Sequence, residues 1–447
     1  MKKEDFLYLN LILFHVGVGF IIYLLPFTSK LYGIALFLLA LFFIVQSKNR
    51  NNEALLAAGY LVGSEVLLRM TGGSLSYEFA KYGVVVLLFT GGVYSGFGKK
   101  AFPYWIFLLL LIPGVLIGTF VLNFDTNIRT TIAFNISGPV CLGLASLYTY
   151  RRKITLSQMN SLLLCIGLPI VSTTTYLALY TPSIREIVTG TGSNYATSGG
   201  FGPNQVATFL GLGMFIFFSR IIFESKSKFI LALNLIIVFN ISYRGMVTFS
   251  RGGMITGFLM IVSLLFFLYI KSNKSGKLKL IYIAGIIGVA MTSIWLYTSI
   301  QTGGLINKRY ANQDAAGREK ASRFTGREEI AQSELEMFFE NPIFGVGVAK
   351  GVEIREENTG QFVVSHDEIT RMLGEHGSLG AFALLILIFT PLVLYFENTY
   401  NLFLVCFLVF WFLTINHAAM RTAVPAFVYS LSLLNLQMFQ PKSNGEQ

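Results

Sequence analysis

Apolar runs long enough to cross a lipid bilayer recur along almost the whole chain, separated by short polar segments. A membrane-spanning helix needs about 20 mainly apolar residues to cross roughly 30 Å of hydrocarbon. The runs are 6–26, 31–46, 53–70, 81–97, 103–123, 131–149, 156–180, 203–220, 228–243, 253–270, 280–299, 369–394, 401–415 and 422–438. They predict an all-α polytopic membrane protein with about 12–14 transmembrane helices, because two short runs could be re-entrant.

Composition agrees with this pattern. Hydrophobic residues make up 54% of the chain and charged residues 13%, whereas a soluble protein carries about 25% charged residues. The first run is too long for a signal-peptide core and has no small-residue cleavage site after it, so we expect a retained helix. All three cysteines lie inside apolar runs, which predicts neither a disulfide framework nor a zinc motif.

The distribution of lysine and arginine predicts the orientation. If the N-terminus is cytoplasmic, sixteen basic residues up to Lys279 fall in inner segments, against five in the outer segments before residue 240. Basic residues accumulate on the cytoplasmic side, so both termini are expected there. The net charge of +11 then reflects membrane topology rather than nucleic-acid binding. The long polar segment 301–368 is expected on the outer face, together with 181–203 and the turn 244–253.

Three parts follow from this topology: N-terminal helices over 1–300, a large outer loop over 301–368, and C-terminal helices with a short cytoplasmic tail over 369–447. Within the loop, residues 308–327 hold six basic and two acidic side chains, and residues 328–357 hold eight acidic and two basic ones. The basic half is suited to an anionic ligand, and the acidic half is expected to be a solvated face. Residues 326–341 predict an amphipathic helix with acidic residues in its first turn.

Arginines on the outer face are the first candidate site residues. Arg251 opens a membrane helix, with Arg244 seven residues earlier, and Arg323 and Arg327 belong to the loop's basic cluster. A guanidinium binds phosphate oxygens bidentately, so these residues could hold the diphosphate of a lipid-linked donor. Interfacial anchoring or contact with lipid headgroups is the alternative.

His366 is the second candidate, because it lies where the loop enters the next membrane helix and its ordinary pKa suits a general base. The alternative is an interfacial histidine with a structural role. His417 and Arg421 could line the same cavity. Asp367 beside His366 does not complete a metal site, since no matching ligand set lies nearby. The sequence contains no nucleotide-binding loop, nucleophile elbow or metalloprotease motif, so transfer on this face would need an activated donor.

Several segments resemble the bacterial O-antigen ligase and O-antigen polymerase superfamily. They are Phe201-Gly202-Pro203-Asn204-Gln205-Val206-Ala207, Ser250-Arg251-Gly252, Arg323-Phe324-Thr325-Gly326-Arg327, Asn341-Pro342-Ile343-Phe344-Gly345-Val346-Gly347, and His366-Asp367 followed by Leu373, Glu375, Gly377 and Gly380. Their order, with a long loop between the arginine and the histidine, is fairly specific for this superfamily. It does not separate a ligase from a polymerase.

The resemblance implies a GT-C-like helical fold and a bacterial inner-membrane enzyme. It implies transfer of a glycan from undecaprenyl diphosphate on the periplasmic face, with inversion and without metal, ATP or another cofactor. Arginines matching Arg251 and Arg327 would hold the diphosphate, and His366 would deprotonate the acceptor hydroxyl. The family often has asparagine after the histidine, whereas this chain has Asp367, which would raise the histidine pKa. Further candidates for the acceptor site or the cavity lining are Asn204, Asp367, Glu375, His417 and Arg421.

Three glycan-transfer functions remain open at this point. The leading one is ligation of O-antigen to lipid A-core. A polymerase that joins lipid-linked repeat units is the nearest alternative, and a protein-glycosylating oligosaccharyltransferase is third. A different class is a transporter or flippase, which predicts charges near the middle of the membrane and inverted repeats. Such charges are scarce here, apart from Glu65 and Arg69, which are spaced for pairing along a helix.

Overall fold

The computed structural model describes residues 3–123, 125–320, 327–360 and 362–437, which form eighteen α-helices and two short strands. The helices are α1 (Lys3–Leu24), α2 (Thr28–Ser47), α3 (Glu53–Met70), α4 (Phe79–Ser95), α5 (Phe102–Val121), α6 (Ile128–Thr149), α7 (Leu156–Tyr180), α8 (Ile184–Ile187), α9 (Pro203–Phe223), α10 (Lys228–Met246), α11 (Arg251–Lys271), α12 (Lys274–Gln301), α13 (Leu305–Tyr310), α14 (Arg327–Glu340), α15 (Lys350–Thr359), α16 (Glu368–Glu397), α17 (Leu402–Ile415) and α18 (Ala423–Leu431). The strands β1 (Lys153–Thr155) and β2 (Asn435–Gln437) pair in parallel.

Each of the fourteen apolar runs predicted from the sequence corresponds to a helix, although some bounds differ by several residues. Within the described part of the chain, ten helices are long and apolar enough to cross a membrane, and α4 and α17 are shorter apolar helices. The nine residues of α18 extend only about 14 Å, which is less than the thickness of the hydrocarbon layer. The chain is an all-α, multi-pass membrane protein.

Close packing of α9 against α11 holds the two helices side by side. A side-chain methyl group on Gly211 would lie 2.1 Å from the carbonyl oxygen of Gly253, and one on Gly257 would lie 2.3 Å from the carbonyl oxygen of Gly211. Small residues let membrane helices approach backbone to backbone in this way. The contact brings Asn204, at the start of α9, beside Arg251, the first residue of α11.

A break in α16 joins this helix to the segment between α14 and α15. Gly377 has φ +60° and ψ −141° within the helix, a conformation that favours glycine. The amides of Val346 and Gly347 donate to the carbonyls of Gly374 and Glu375 at 2.9 and 3.1 Å, and the amide of Ser378 donates to Pro342 at 2.8 Å. These hydrogen bonds give partners to backbone groups that the break in α16 leaves without a helical partner. The Asn-Pro-Ile-Phe-Gly-Val-Gly motif therefore holds the loop on the bundle.

Two ion pairs are buried among the helices near the start of the chain. Arg69 lies 2.9 Å from Glu65, which confirms the pairing predicted from their spacing, and Lys81 lies 2.6 Å from Glu78. Both pairs are buried, and a charge buried in protein is costly unless it is paired. Arg69 also donates to the carbonyl of Arg421 at 3.1 Å, which ties α3 to the turn before α18.

Candidate functional site: an arginine and histidine cavity

One end of the bundle encloses a cavity of about 740 Å³. The starts of α9, α11, α14 and α16 and the end of α17 form its walls. Its lining residues are Ser193, Asn204, Ser250, Arg251, Gly252, Ile255, Arg309, Tyr310, Arg327, Glu328, Ile330, Ala331, His366, Asp367, Asn416 and His417. Backbone amides at a helix N-terminus carry partial positive charge and favour anions. Four helix N-termini therefore add to the positive charge of the arginines here.

Arg251 and Arg309 form one wall. Arg251 Nη1 donates to the carbonyl oxygen of Arg309 at 3.4 Å. Arg309 Nε donates to the carbonyl of Phe249 at 2.8 Å, and its Nη2 lies 3.4 Å from Ser193 Oγ. Burial and the nearby positive charge of Arg251 lower the pKa of Arg309. Two guanidinium groups held together in a partly buried wall favour binding of a multiply charged anion.

Arg327 also lines the cavity as the first residue of α14, and the helix predicted for this part of the loop is present. Burial lowers the pKa of its guanidinium, and Glu328 lines the cavity beside it. Arg323, the other predicted arginine of this motif, lies outside the described residues.

His366 lines the same cavity, just before α16. The amide of Ala419 donates to its carbonyl at 3.2 Å, and Arg421 Nη2 donates to the carbonyl of Ser365 at 2.7 Å. Burial first, and then the charges of Arg421 and Arg327, lower the pKa of His366 from 6.5 to about 4. The imidazole is therefore neutral at pH 7 and able to accept a proton.

The expectation that Asp367 would raise this pKa is wrong. Asp367 caps the N-terminus of α16, and its Oδ1 accepts the amide hydrogen of Ile369 at 2.8 Å. The carboxylate of Asp367 thus interacts with the start of α16. Burial and the charges of two arginines, Arg421 and Arg327, determine the pKa of the neighbouring imidazole.

Glu334 anchors the segment that carries His366. This residue of α14 is only 3% exposed. Its Oε2 accepts hydrogen bonds from Thr370 Oγ1 at 2.6 Å and from Ser365 Oγ at 3.2 Å, and its Oε1 lies 3.2 Å from Arg355 Nη1. The prediction of a solvated acidic half is wrong for Glu334, because these hydroxyls and Arg355 replace water. One carboxylate thus links the helix of Arg327 to the loop of His366.

Asn204 and His417 complete the floor. Ser250 Oγ donates to Asn204 Oδ1 at 2.7 Å. His417 Nδ1 lies 2.8 Å from the carbonyl of Leu413, so this nitrogen carries the hydrogen, and Nε2 faces Thr208 Oγ1 at 2.9 Å. Burial lowers the pKa of His417 to about 4, which leaves a second neutral imidazole in the cavity wall.

Three predicted site residues lie outside the cavity lining. Arg244 points away and donates through Nη1 to the carbonyl of Thr181 at 3.0 Å. Glu375 is buried in α16, where it accepts from Arg371 at 2.7 Å and from the amide of Ala349 at 2.9 Å. Arg421 donates to the carbonyl of Ser365, in the loop that carries His366.

Ser193, Arg309, Tyr310 and Asn416 are among the lining residues that sequence reasoning did not single out. Arg309 belongs to the basic half of the loop, whose charge indicated an anionic ligand. Nothing in the sequence distinguished Arg309 from the neighbouring basic residues. Within the described residues no group of three histidine, cysteine, aspartate or glutamate side chains is arranged to hold a metal ion.

The fold and the cavity together define a multi-pass membrane protein with an arginine-lined cavity at one end of its helices. Residues 233–385, about one third of the chain, match the family model described as O-antigen ligase. This match supports the resemblance to the O-antigen ligase and polymerase superfamily. The matched segment contains Arg251, Arg327 and His366. Neither a curated protein nor a solved structure matches the chain.

Proposed function

We propose that the chain is an O-antigen ligase-like glycosyltransferase. It moves a glycan from undecaprenyl diphosphate to an acceptor hydroxyl, for which we favour lipid A-core. One observation carries the proposal: Arg251, Arg327 and His366, which are far apart in sequence, line one cavity of about 740 Å³, and all three belong to the segment that matches the O-antigen ligase family model.

In this proposal the diphosphate of the donor lies between Arg251 and Arg327, with Arg309 beside Arg251. Guanidinium groups match phosphate oxygens in geometry as well as charge. Negative charge grows on the bridging oxygen as the sugar leaves, so these groups stabilise the transition state more than the bound donor. ATP is not needed, because the diphosphate is already a good leaving group.

His366 acts as the general base. It takes the proton of the acceptor hydroxyl while that oxygen forms a bond to the anomeric carbon. The bond between this carbon and the diphosphate oxygen breaks, and its electron pair leaves with undecaprenyl diphosphate. Attack from the face opposite the leaving group inverts the configuration. A bound diphosphate next to Arg327 would raise the low pKa of His366 towards neutrality and make it a stronger base.

We place this cavity on the periplasmic face of the bacterial inner membrane, with both termini in the cytoplasm. The excess of basic residues in the alternate segments supports this orientation. In the same proposal, 1–300 and 369–447 form the membrane part, and 301–368 forms the periplasmic cover of the cavity, since α13 and α14 both contribute lining residues.

Reconstitution of the purified protein in vesicles tests the function. The donor is undecaprenyl-diphosphate glycan, the acceptor is lipid A-core or a second lipid-linked repeat unit, and every reaction contains a chelator. We expect glycan on lipid A-core. Joined repeat units as the sole product would assign a polymerase instead, and no transfer to either acceptor would contradict the proposal.

The variant His366→Ala tests the role of the general base in this assay. Loss of a general base lowers the rate by about 10²–10⁴-fold, so we expect turnover to fall by that factor while donor binding changes little. Wild-type turnover in this variant would exclude His366 as the base.

A further inference from the structure

A second, apolar cavity adjoins the site. This apolar chamber of about 200 Å³ lies between α9, α10, α11 and α12, and four methionines line it: Met214, Met246, Met254 and Met291. Methionine is flexible and polarisable, so its side chains adapt to an irregular apolar ligand. Ile255 and Tyr310 line both the chamber and the arginine cavity. The two cavities are therefore adjacent and share part of their wall.

The contact between the two cavities is aromatic. The ring of Tyr310 meets the ring of Trp295 edge to face, with centroids 4.9 Å apart. Tyr310 is at the end of α13, next to Arg309, and Trp295 belongs to α12. A polar group held by Arg309 is therefore adjacent to the entrance of the chamber.

The outer wall of the chamber is thinly covered. Only 6% of the apolar stretch of α12 is buried, the smallest share among the ten long apolar helices of the described residues. The helix that contributes Met291, Ile294 and Trp295 to the chamber is thus mostly exposed, which suits a ligand that arrives from the bilayer.

The size of the chamber limits what it can hold. An apolar cavity of about 150 Å³ accommodates benzene, a six-carbon molecule. At about 200 Å³, the chamber has room for one or two five-carbon units, not for a whole polyprenyl chain.

Another apolar groove is larger but lies elsewhere. It measures about 570 Å³ between α5 and α16 and is lined by residues that include Phe382, Leu385 and Phe389. As far as the described residues show, it shares no lining residue with the arginine cavity. A lipid chain attached to a diphosphate in that cavity would enter the smaller chamber first.

Resting on the proposed function, we propose that the apolar chamber binds the isoprenoid units next to the donor diphosphate and selects a branched isoprenoid over a straight alkyl chain. The chamber is wide enough for the methyl branches, and its methionines close around them. A straight chain leaves part of this volume empty and loses those contacts.

Two donors test this selectivity. Both carry the same glycan diphosphate, one on a short isoprenoid and the other on a saturated alkyl chain of equal carbon number. A few apolar groups in a pocket discriminate by about 10–200-fold, so we expect wild-type kcat/KM to favour the isoprenoid at least about tenfold. Equal kcat/KM for the two donors would overturn the proposal.

Ser242→Leu fills the chamber. Ser242 lines it, is buried, and has no hydrogen-bond partner for its Oγ among the described residues. The substitution should abolish the preference by lowering kcat/KM for the isoprenoid donor about tenfold. Leu385→Phe, in the groove between α5 and α16, is the control and should keep the preference. A preference that persists in Ser242→Leu would overturn the proposal.

Photo-cross-linking gives an answer that requires neither transfer nor a substitution. The probe is a polyprenyl diphosphate without glycan, with a diazirine on its second isoprene unit. We expect labelling of Met246, Met291 or Trp295, and labelling of Phe382 or Phe389 would overturn the proposal. If the probe labels the chamber but the reconstituted protein transfers glycan to neither acceptor, the proposed function is contradicted and the lipid-binding site still stands.

Discussion

Two groups of arginines lie within the segment that matches the O-antigen ligase family model, and their surroundings differ. In the deep cluster, Arg355 pairs with Glu334 at 3.2 Å, and Arg371 pairs with Glu368 and, at 2.7 Å, with Glu375. In the cavity, Arg309 donates to the backbone carbonyl of Phe249. A carbonyl oxygen satisfies a hydrogen bond but cancels no charge.

This difference distinguishes arginines that we expect to stabilise the fold from arginines that we expect to bind a ligand. A buried arginine beside a carboxylate stabilises the fold only as long as the pair is complete. The cavity arginines share their space with two carboxylates, Asp367 and Glu328, and Asp367 caps α16. The guanidinium groups of Arg251, Arg309 and Arg327 line an open volume, which a diphosphate can fill. The comparison predicts opposite effects of substitution in the two groups.

The largest effect is expected in the cavity. Arg251→Ala or Arg327→Ala should lower glycan transfer about 10³-fold or more, as loss of an arginine at a transferring phosphate does. Lysine at either position should rescue only part of the rate, because it keeps the charge but loses the planar fork. Thermal unfolding in detergent checks that the variants remain folded. Full activity in both alanine variants would contradict the diphosphate role.

The deep cluster should respond in the opposite way. Arg355→Met leaves the charge of Glu334 buried without its cation, which costs about 3–5 kcal/mol of stability. The melting temperature should fall clearly, while the transfer rate per folded molecule should stay within about threefold, since Arg355 does not line the cavity. Unchanged stability with lost activity would remove the distinction between the two groups.

The pH dependence of transfer should show how the donor changes the cavity. Activity requires neutral His366, so it falls as the pH drops below the pKa of that group. The acid limb of kcat/KM reports the free enzyme and is expected near pH 4. The acid limb of kcat reports the donor complex and should lie at higher pH, because the bound diphosphate offsets Arg327. Two limbs at the same pH would argue against a diphosphate beside His366.

The smallest effect is expected at Arg244. It lies outside the cavity and donates to the carbonyl of Thr181, so Arg244→Ala should reduce transfer less than about tenfold, mainly through loss of one hydrogen bond. A loss as large as that of Arg251→Ala would show that the cavity extends further than the structure describes.

The sequence predicted the helices well, because membrane spans are read from the length and polarity of apolar runs. It also placed Arg251, Arg327 and His366 at helix starts on one face, where span ends are visible. It could not separate Arg244 from Arg251. Phe249, with φ +58°, turns the chain between them, so that one arginine faces Thr181 and the other opens α11.

Contacts between distant segments were beyond prediction. Glu334 lies in an acidic stretch that looks solvated, and its burial depends on Ser365, Thr370 and Arg355, which come from other elements. Arg309 reaches the cavity because α13 packs beside Phe249. Neither position has a local pattern that distinguishes it from neighbouring residues of the same charge.

The most direct test of the account is the affinity of the purified protein for polyprenyl diphosphate, measured by titration without acceptor. We predict that Arg251→Ala and Arg327→Ala weaken binding at least about tenfold, the factor for one lost charge-assisted contact of about 1.4 kcal/mol or more. His366→Ala and Arg355→Met should bind like the wild type. Wild-type affinity in both cavity variants would contradict the claim that these arginines hold the donor.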